Sequence, residues 1–294
     1  MAGHFELRKN IDKYLKYMTF VKSASPLTIK HYSLDLKQAF DYENNSRIFT
    51  EAELLTTARA AFNGWAGLSL ASRNRKAATL KSFFSWAFEE NLTERDLSFQ
   101  ITAPKVPKKL PHFLSVDEVL SVLKTFEGED AAPLKEKVLF LLLYGGGLRI
   151  SEACALKWAD IHWAQKVFRI KGKGSKERVV ALPKLTLEVL ERWRKESGDE
   201  EYVFGAEPLN TRTAYEMVRH SGKRAGLLKP LHPHALRHSF ATHLLSSGAN
   251  LRVLQELLGH ESLSATEKYT HLGIDHLART MESLHPLGNK TKVS

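Results

Sequence analysis

Apolar positions along most of this chain repeat with a helical period, and the ends of the periodic segments carry helix-start chemistry. Phe5, Ile11, Tyr14, Leu15 and Met18 fall at near-helical spacing over residues 5–21. Ser25-Pro26 then supplies a capping side chain and a first-turn proline for a second helix bearing Ile29, Tyr32, Leu36 and Phe40. Thr50 with Glu53 makes a capping box for a third. A fourth, over roughly 70–90, sets Phe83, Phe84, Trp86 and Phe88 beside Arg73, Arg75, Lys76 and Lys81. The aromatics suit a helical core. The four basic residues suit either a solvated face or a phosphate backbone. Together these elements predict an all-helical bundle ending near residue 102.

The period then breaks. Residues 103–111, APKVPKKLP, hold three prolines and three lysines, as an extended linker does, so the chain divides into 1–102, a linker at 103–112, and 113–294. The second region opens with Ser115 and Glu118, another capping box. VLFLLLY at 138–144 reads as a buried helix, too short to span a bilayer. It stops at Tyr144-Gly-Gly-Gly-Leu-Arg149-Ile-Ser-Glu152, whose glycines let the backbone turn into a helix with Arg149 in its first turn and Glu152 one turn on. An isolated pair of this kind is ordinarily a surface ion pair. KVFRI at 166–170 and ERVVAL at 177–182 flank glycines and predict a β-hairpin whose tip carries Lys171, Lys173 and Lys176. Helices follow near 184–196 and 210–226, and Ile274, Leu277, Met281 and Leu284 stripe a terminal helix at about 274–285.

Composition sharpens this picture in two places. The 294 residues carry a net charge of +10, with a pI near 9.5, which favours a polyanionic partner although a basic solvated surface accounts for it equally. A single cysteine, Cys154, excludes an intrachain disulfide and suits a reducing compartment; within ACAL it reads as a buried small hydrophobe. MAGHFELRKN has no apolar signal core, so the expectation is a cytoplasmic protein with no membrane partner.

The chemistry concentrates between His232 and Tyr269. His234 and Arg237 are three residues apart and share a helix face. His260 follows a Leu-Leu-Gly helix stop, and Tyr269 comes nine residues later on a short helix of its own. A cationic clamp, proton handlers and a nucleophile are what phosphoryl transfer at a nucleic-acid backbone requires, with Tyr269 becoming attached to DNA. Zinc is the competing account for His234 and His238, but HALRH lacks the glutamate of a metalloprotease helix and places Arg237 inside the cluster. There is no acidic cluster for magnesium and no GxSxG elbow, so neither a metal nor another cofactor is expected. His238 and His243 fit helix packing or capping. Arg149 and Arg237 add two planar forks for non-bridging oxygens.

GLRISE, KGKGSKERVV, HALRHSFATHLL and LLGHESLSATEKYTH, in that order, resemble the tyrosine recombinases of the lambda-integrase superfamily, especially the bacterial Xer-type members. The resemblance covers essentially the whole chain. It implies a mainly α fold: an N-terminal SAM-like core-binding bundle, then a mainly helical catalytic domain with a small antiparallel sheet. Arg149 matches the first arginine, Lys173 the hairpin lysine, His234 and Arg237 the HxLR pair, His260 the LGH histidine and Tyr269 the nucleophile. Glu152 matches an acidic position that orders the site. The implied activity is metal-free strand exchange through a 3′-phosphotyrosine and a Holliday junction at a double-stranded recombination site, for chromosome or plasmid dimer resolution or, alternatively, integration of a mobile element. The implied assembly is a homo- or hetero-tetramer on DNA built by exchange of the C-terminal helix, which leaves open a partner recombinase and a DNA translocase. A type IB topoisomerase would share the chemistry, but the compact helical domain and exchange-type tail argue against it. A non-catalytic DNA-binding protein on this fold would have lost a catalytic residue, and none is missing. One departure is the triple glycine, where relatives usually carry a threonine or another residue before a single Gly-Leu-Arg; the expected consequence is a looser turn before Arg149.

Overall fold

The computed structural model describes residues 5–42, 48–107, 113–127, 133–171, 177–258 and 271–288. The chain divides into two compact units, 1–109 and 110–294.

The first unit packs α1 (Leu7–Phe20), α2 (Pro26–Phe40), α3 (Glu51–Gly64) and α4 (Leu70–Glu89) around Tyr14, Leu36, Leu54, Phe83 and Phe84. The caps act as the sequence suggests. Ser25 Oγ accepts from the Thr28 N–H at 3.1 Å with Pro26 in the first turn, and Thr50 and Glu53 cap each other reciprocally. The bundle also has a strand pair that the helical period did not reveal. β1 (Phe5–Glu6) runs antiparallel to β2 (Ile48–Phe49), and two residues are too few to register as alternation.

Lys76 has to be removed from the phosphate-facing residues. Its side chain is buried, and Nζ donates to Asp35 Oδ1 at 2.9 Å and also to Gln38. Arg75 forks onto the same carboxylate, and Thr79 Oγ1 donates to it at 2.9 Å. Asp35 is fully buried, so these groups compensate one another within the bundle and leave Lys76 nothing to offer DNA. Arg73 lies over the Phe62 ring at 5.2 Å, and Lys81 is half-buried. Asp35→Ala should therefore destabilise the first unit by about 3–5 kcal/mol, because it strands a buried ammonium. Denaturant unfolding of the full chain measures this, and a loss below about 1 kcal/mol would mean the network is solvated after all.

The second unit contains α5 (Val116–Lys124), α6 (Leu134–Tyr144), α7 (Ile150–Cys154), α8 (Lys184–Ser197), α9 (Thr211–Arg224), α10 (Pro233–Ser246), α11 (Leu251–Leu258) and α12 (His271–Leu284). α6 is buried from Val138 to Tyr144, with α8, α9 and α10 packed around it, which is why its sequence is apolar on every side. The predicted hairpin is β4 (Val167–Lys171) and β5 (Glu177–Ala181), with Ile170 opposite Arg178. A third strand, β3 (Ile161–His162), extends the sheet in the order β3-β4-β5. α12 packs into the core of its own unit, with Leu277 and Met281 buried; the side chain of Ile274 lies outside the described residues. Cys154 is buried as expected, and burial pushes its thiol up to about 11. Among the described residues no helix is long and apolar enough to cross a membrane.

Candidate active site

The site begins at the turn between α6 and α7. Gly147 has φ +59°, and a Cβ there would lie 2.5 Å from the Phe240 ring, so only glycine fits. A Cβ on Gly145 would meet Thr186 Oγ1 at 2.5 Å. The Leu148 N–H closes the turn onto the Leu142 carbonyl at 3.2 Å. The triple glycine thus makes a close-packed turn, and the looser geometry expected from it is not found. Tyr144, just before it, is held from two sides. Its hydroxyl and His243 Nδ1 are 2.8 Å apart, and His285 Nε2 donates to its carbonyl at 3.3 Å. Tyr144 is fully buried, which keeps its hydroxyl from reaching a substrate, and the same burial raises its phenol well above the ordinary range. His243 is therefore a packing residue, and His238 packs edge-on against Phe113.

Arg149 leaves this turn as the N-cap of α7. Glu152, at the third position of α7, reaches back to accept the Arg149 backbone N–H at 2.7 Å and its guanidinium at 2.9 Å. This is not the surface pair that an isolated RxxE suggests, because the Glu152 side chain is only 9% exposed. Its carboxylate is also gripped by Arg178 of β5 through two bonds of 2.7 Å each. Burial pushes the Glu152 carboxyl up, but the Arg178 fork and the two Arg149 bonds outweigh it and hold the group down at about 2. Glu152 is thus a carboxylate at any working pH.

α10 brings in the next pair. Pro233 opens the helix and His232 Nδ1 accepts from the Ala235 N–H at 3.0 Å, which fixes the entry of the chain. His234 follows at an exposed position, and Arg237 lies one turn later, as the three-residue spacing requires. Arg237 donates to the Gly147 carbonyl and, at 2.6 Å, to the Leu258 carbonyl, and sits 3.9 Å from Glu152. Burial, and then repulsion from Arg149, lowers its guanidinium to about 10, so it is still cationic at neutral pH. Three guanidinium groups, Arg149, Arg178 and Arg237, surround one carboxylate, Glu152. That leaves a net positive cluster in which Arg149 is the most exposed member, suited to an anion with several acceptor oxygens.

Lys173, Lys176, His260 and Tyr269 lie outside the described residues, as does the side chain of Lys171. Of the described part of the set, Arg149, Glu152 and Arg237 are brought together. Arg149 pairs with Glu152, and Arg237 lies 3.9 Å from Glu152 and donates to the Gly147 carbonyl in the turn before α7. His234 stands exposed on α10, one turn before Arg237. The residue missed from the sequence is Arg178. Its signal was an arginine leading directly into the apolar run VVAL, where a charge carried into a buried strand needs a partner.

Residues 112–276 match the phage integrase family, and residues 11–91 match its N-terminal SAM-like domain. The tyrosine recombinase XerC of Myxococcus xanthus is 35% identical, over 94% of this chain and 97% of its own length. The tyrosine recombinase XerD of Halalkalibacterium halodurans is 32% identical, over 95% of this chain and 98% of its own. Among solved structures, XerH bound to difH substrate superposes with a TM-score of 0.61 at 26% identity, covering 89% of this chain and 81% of that one. Lambda integrase (residues 75–356) bound to DNA shares the fold, with a TM-score of 0.67 at 19% identity and 99% of each chain covered. A SAM-like helical bundle followed by a helical domain with a small antiparallel sheet, similarity along nearly the full length, and the arginine–glutamate cluster all agree: the chain belongs to the phage integrase family, the tyrosine recombinases.

Proposed function

We propose that this chain cuts and rejoins double-stranded DNA at a specific site by transesterification, using Arg149, Lys173, His234, Arg237, His260 and Tyr269. Tyr269 Oη attacks the scissile phosphorus. The bond from phosphorus to the 5′-oxygen breaks, leaving a 3′-phosphotyrosine and a free 5′-hydroxyl, and the 5′-hydroxyl of a partner strand reverses the step. Charge that builds on the non-bridging oxygens is met by Arg149 and Arg237, with His234 and His260 handling the nucleophile's proton. The observation that carries this reading is the convergence of Arg149 and Arg237 around Glu152, although the two arginines are far apart in the chain. Residues 1–102 form the core-binding domain in this reading and 113–294 the catalytic one, joined by the linker at 103–112. The net charge of +10 favours duplex DNA, with Arg73, Arg75, Lys81, Lys171 and Lys176 as phosphate contacts.

The similarity to XerC and XerD proteins supports chromosome or plasmid dimer resolution in the cytoplasm over integration of a mobile element. Assembly into a tetramer by exchange of α12 would move Leu277 and Met281 from their own core into an equivalent groove on a neighbour. Sequencing the DNA covalently trapped on the purified protein tests the whole reading. One short duplex motif, joined at its 3′ end to a peptide that contains Tyr269, is expected; a chain that never acquires DNA is a binding protein only.

Lys173 has a separable role. The leaving 5′-oxygen needs a proton, and a lysine ammonium on a hairpin tip is a suitable donor. Lys173→Ala should cleave an ordinary site about 10²–10⁴-fold more slowly, the usual worth of a general acid. A substrate whose bridging 5′-oxygen is replaced by sulfur should restore the rate, because a thiolate leaves without protonation. An equally slow reaction with the sulfur substrate would make Lys173 a phosphate clamp and place the acid elsewhere.

A further inference from the structure

We infer that Arg178 is a positioning residue that sets the lysine-bearing hairpin in register with the arginine pair. The inference rests on the proposed function and goes beyond it. Arg178 stands near the start of β5, five residues after Lys173, and is only 6% exposed. Such a group is tolerated in a buried strand only if its charge is paired and hydrogen-bonded, and three bonds to two neighbouring elements do this. Its two terminal nitrogens grip Glu152 of α7 at 2.7 Å each. Its Nε donates to the Leu257 carbonyl, in the last turn of α11, at 3.2 Å.

Each partner is itself tied to the site. Glu152 holds both the backbone and the guanidinium of Arg149. The adjacent Leu258 carbonyl is held by Arg237 at 2.6 Å. Carbonyls in the last turn of a helix lack intrahelical partners and sit at the negative end of its dipole, which makes them good acceptors for two guanidinium groups. His260 follows two residues later. One side chain thereby joins the base of the hairpin, the element that orients Arg149, and the helix that leads to His260. A planar fork can do this because its donors point in fixed directions, whereas a lysine offers a point charge on a flexible stem.

The test is a double-mutant cycle on the DNA site recovered by trapping, using the full-length protein. Arg178→Lys keeps a cation beside Glu152, so the buried carboxylate is not stranded, but it cannot bridge three elements. It should bind the site with near-normal affinity and cleave about tenfold to a hundredfold more slowly, the range for misplaced catalytic groups and lost supporting contacts. Combined with Lys173→Ala, it should add little to the loss from Lys173→Ala alone, since a lysine that has been removed can no longer be misplaced. Losses that multiply, a weakened site affinity that accounts for the slower cleavage, or normal cleavage by Arg178→Lys would each overturn the inference. Arg178→Met serves as a second variant, with the thermal midpoint and site affinity measured alongside. A general loss of folding lowers binding and cleavage together; loss of register lowers cleavage alone. A Lys173→Ala protein with undiminished cleavage would instead overturn the role given to Lys173 under the proposed function, and the positioning role with it.

Discussion

Tyr269→Phe should bind the recombination site as tightly as the unaltered chain and form no covalent adduct with it. The substitution keeps the ring and deletes only the attacking oxygen, so nothing that recognises DNA is lost while the first chemical step has no nucleophile. A duplex nicked near the cleavage position shows this most cleanly, because the short released strand diffuses away and traps the adduct. Tyr144→Phe is the matched control. Tyr144 is buried, with its hydroxyl against His243, so removing that oxygen affects packing but not chemistry. An adduct that persists in Tyr269→Phe would mean another side chain attacks, and the tyrosine assignment would fall.

Arg237→Ala should slow cleavage by about 10³-fold or more, as loss of a charged donor on a phosphoryl transition state does. Arg237 is held between the Gly147 and Leu258 carbonyls beside Glu152, so its fork is aimed before substrate arrives and little reorganisation is needed during reaction. Arg237→Lys retains the charge but cannot span both carbonyls, and should recover only part of the rate. Neither variant should be rescued by a sulfur-bridged substrate, since the missing charge acts on non-bridging oxygens. The measurement is single-turnover cleavage at saturating protein. A rate within tenfold of normal for Arg237→Ala would remove Arg237 from the site.

The sequence by itself determined the local structure and the inventory of groups. Helical period, the Ser25-Pro26 start and the capping boxes at Thr50 and Ser115 each act through residues within four positions, so they are readable without a fold. The ordered motifs named the family, because residue types at fixed spacings carry the chemistry wherever the chain folds. Tertiary structure decided which charges meet. Lys76 looked like its neighbours on α4, but its partner Asp35 lies 41 positions away, and only packing α2 against α4 takes that lysine out of solvent. Arg178 finds Glu152 across 26 positions and the Leu257 carbonyl across 79. The triple glycine looked loose until Phe240 and Thr186 filled the space beside it. Periodicity reports which face of an element avoids water. It holds no information on which buried charge lies opposite, because that depends on how distant elements pack, and in a low-dielectric interior the pairing sets whether a charged residue is a scaffold or a ligand.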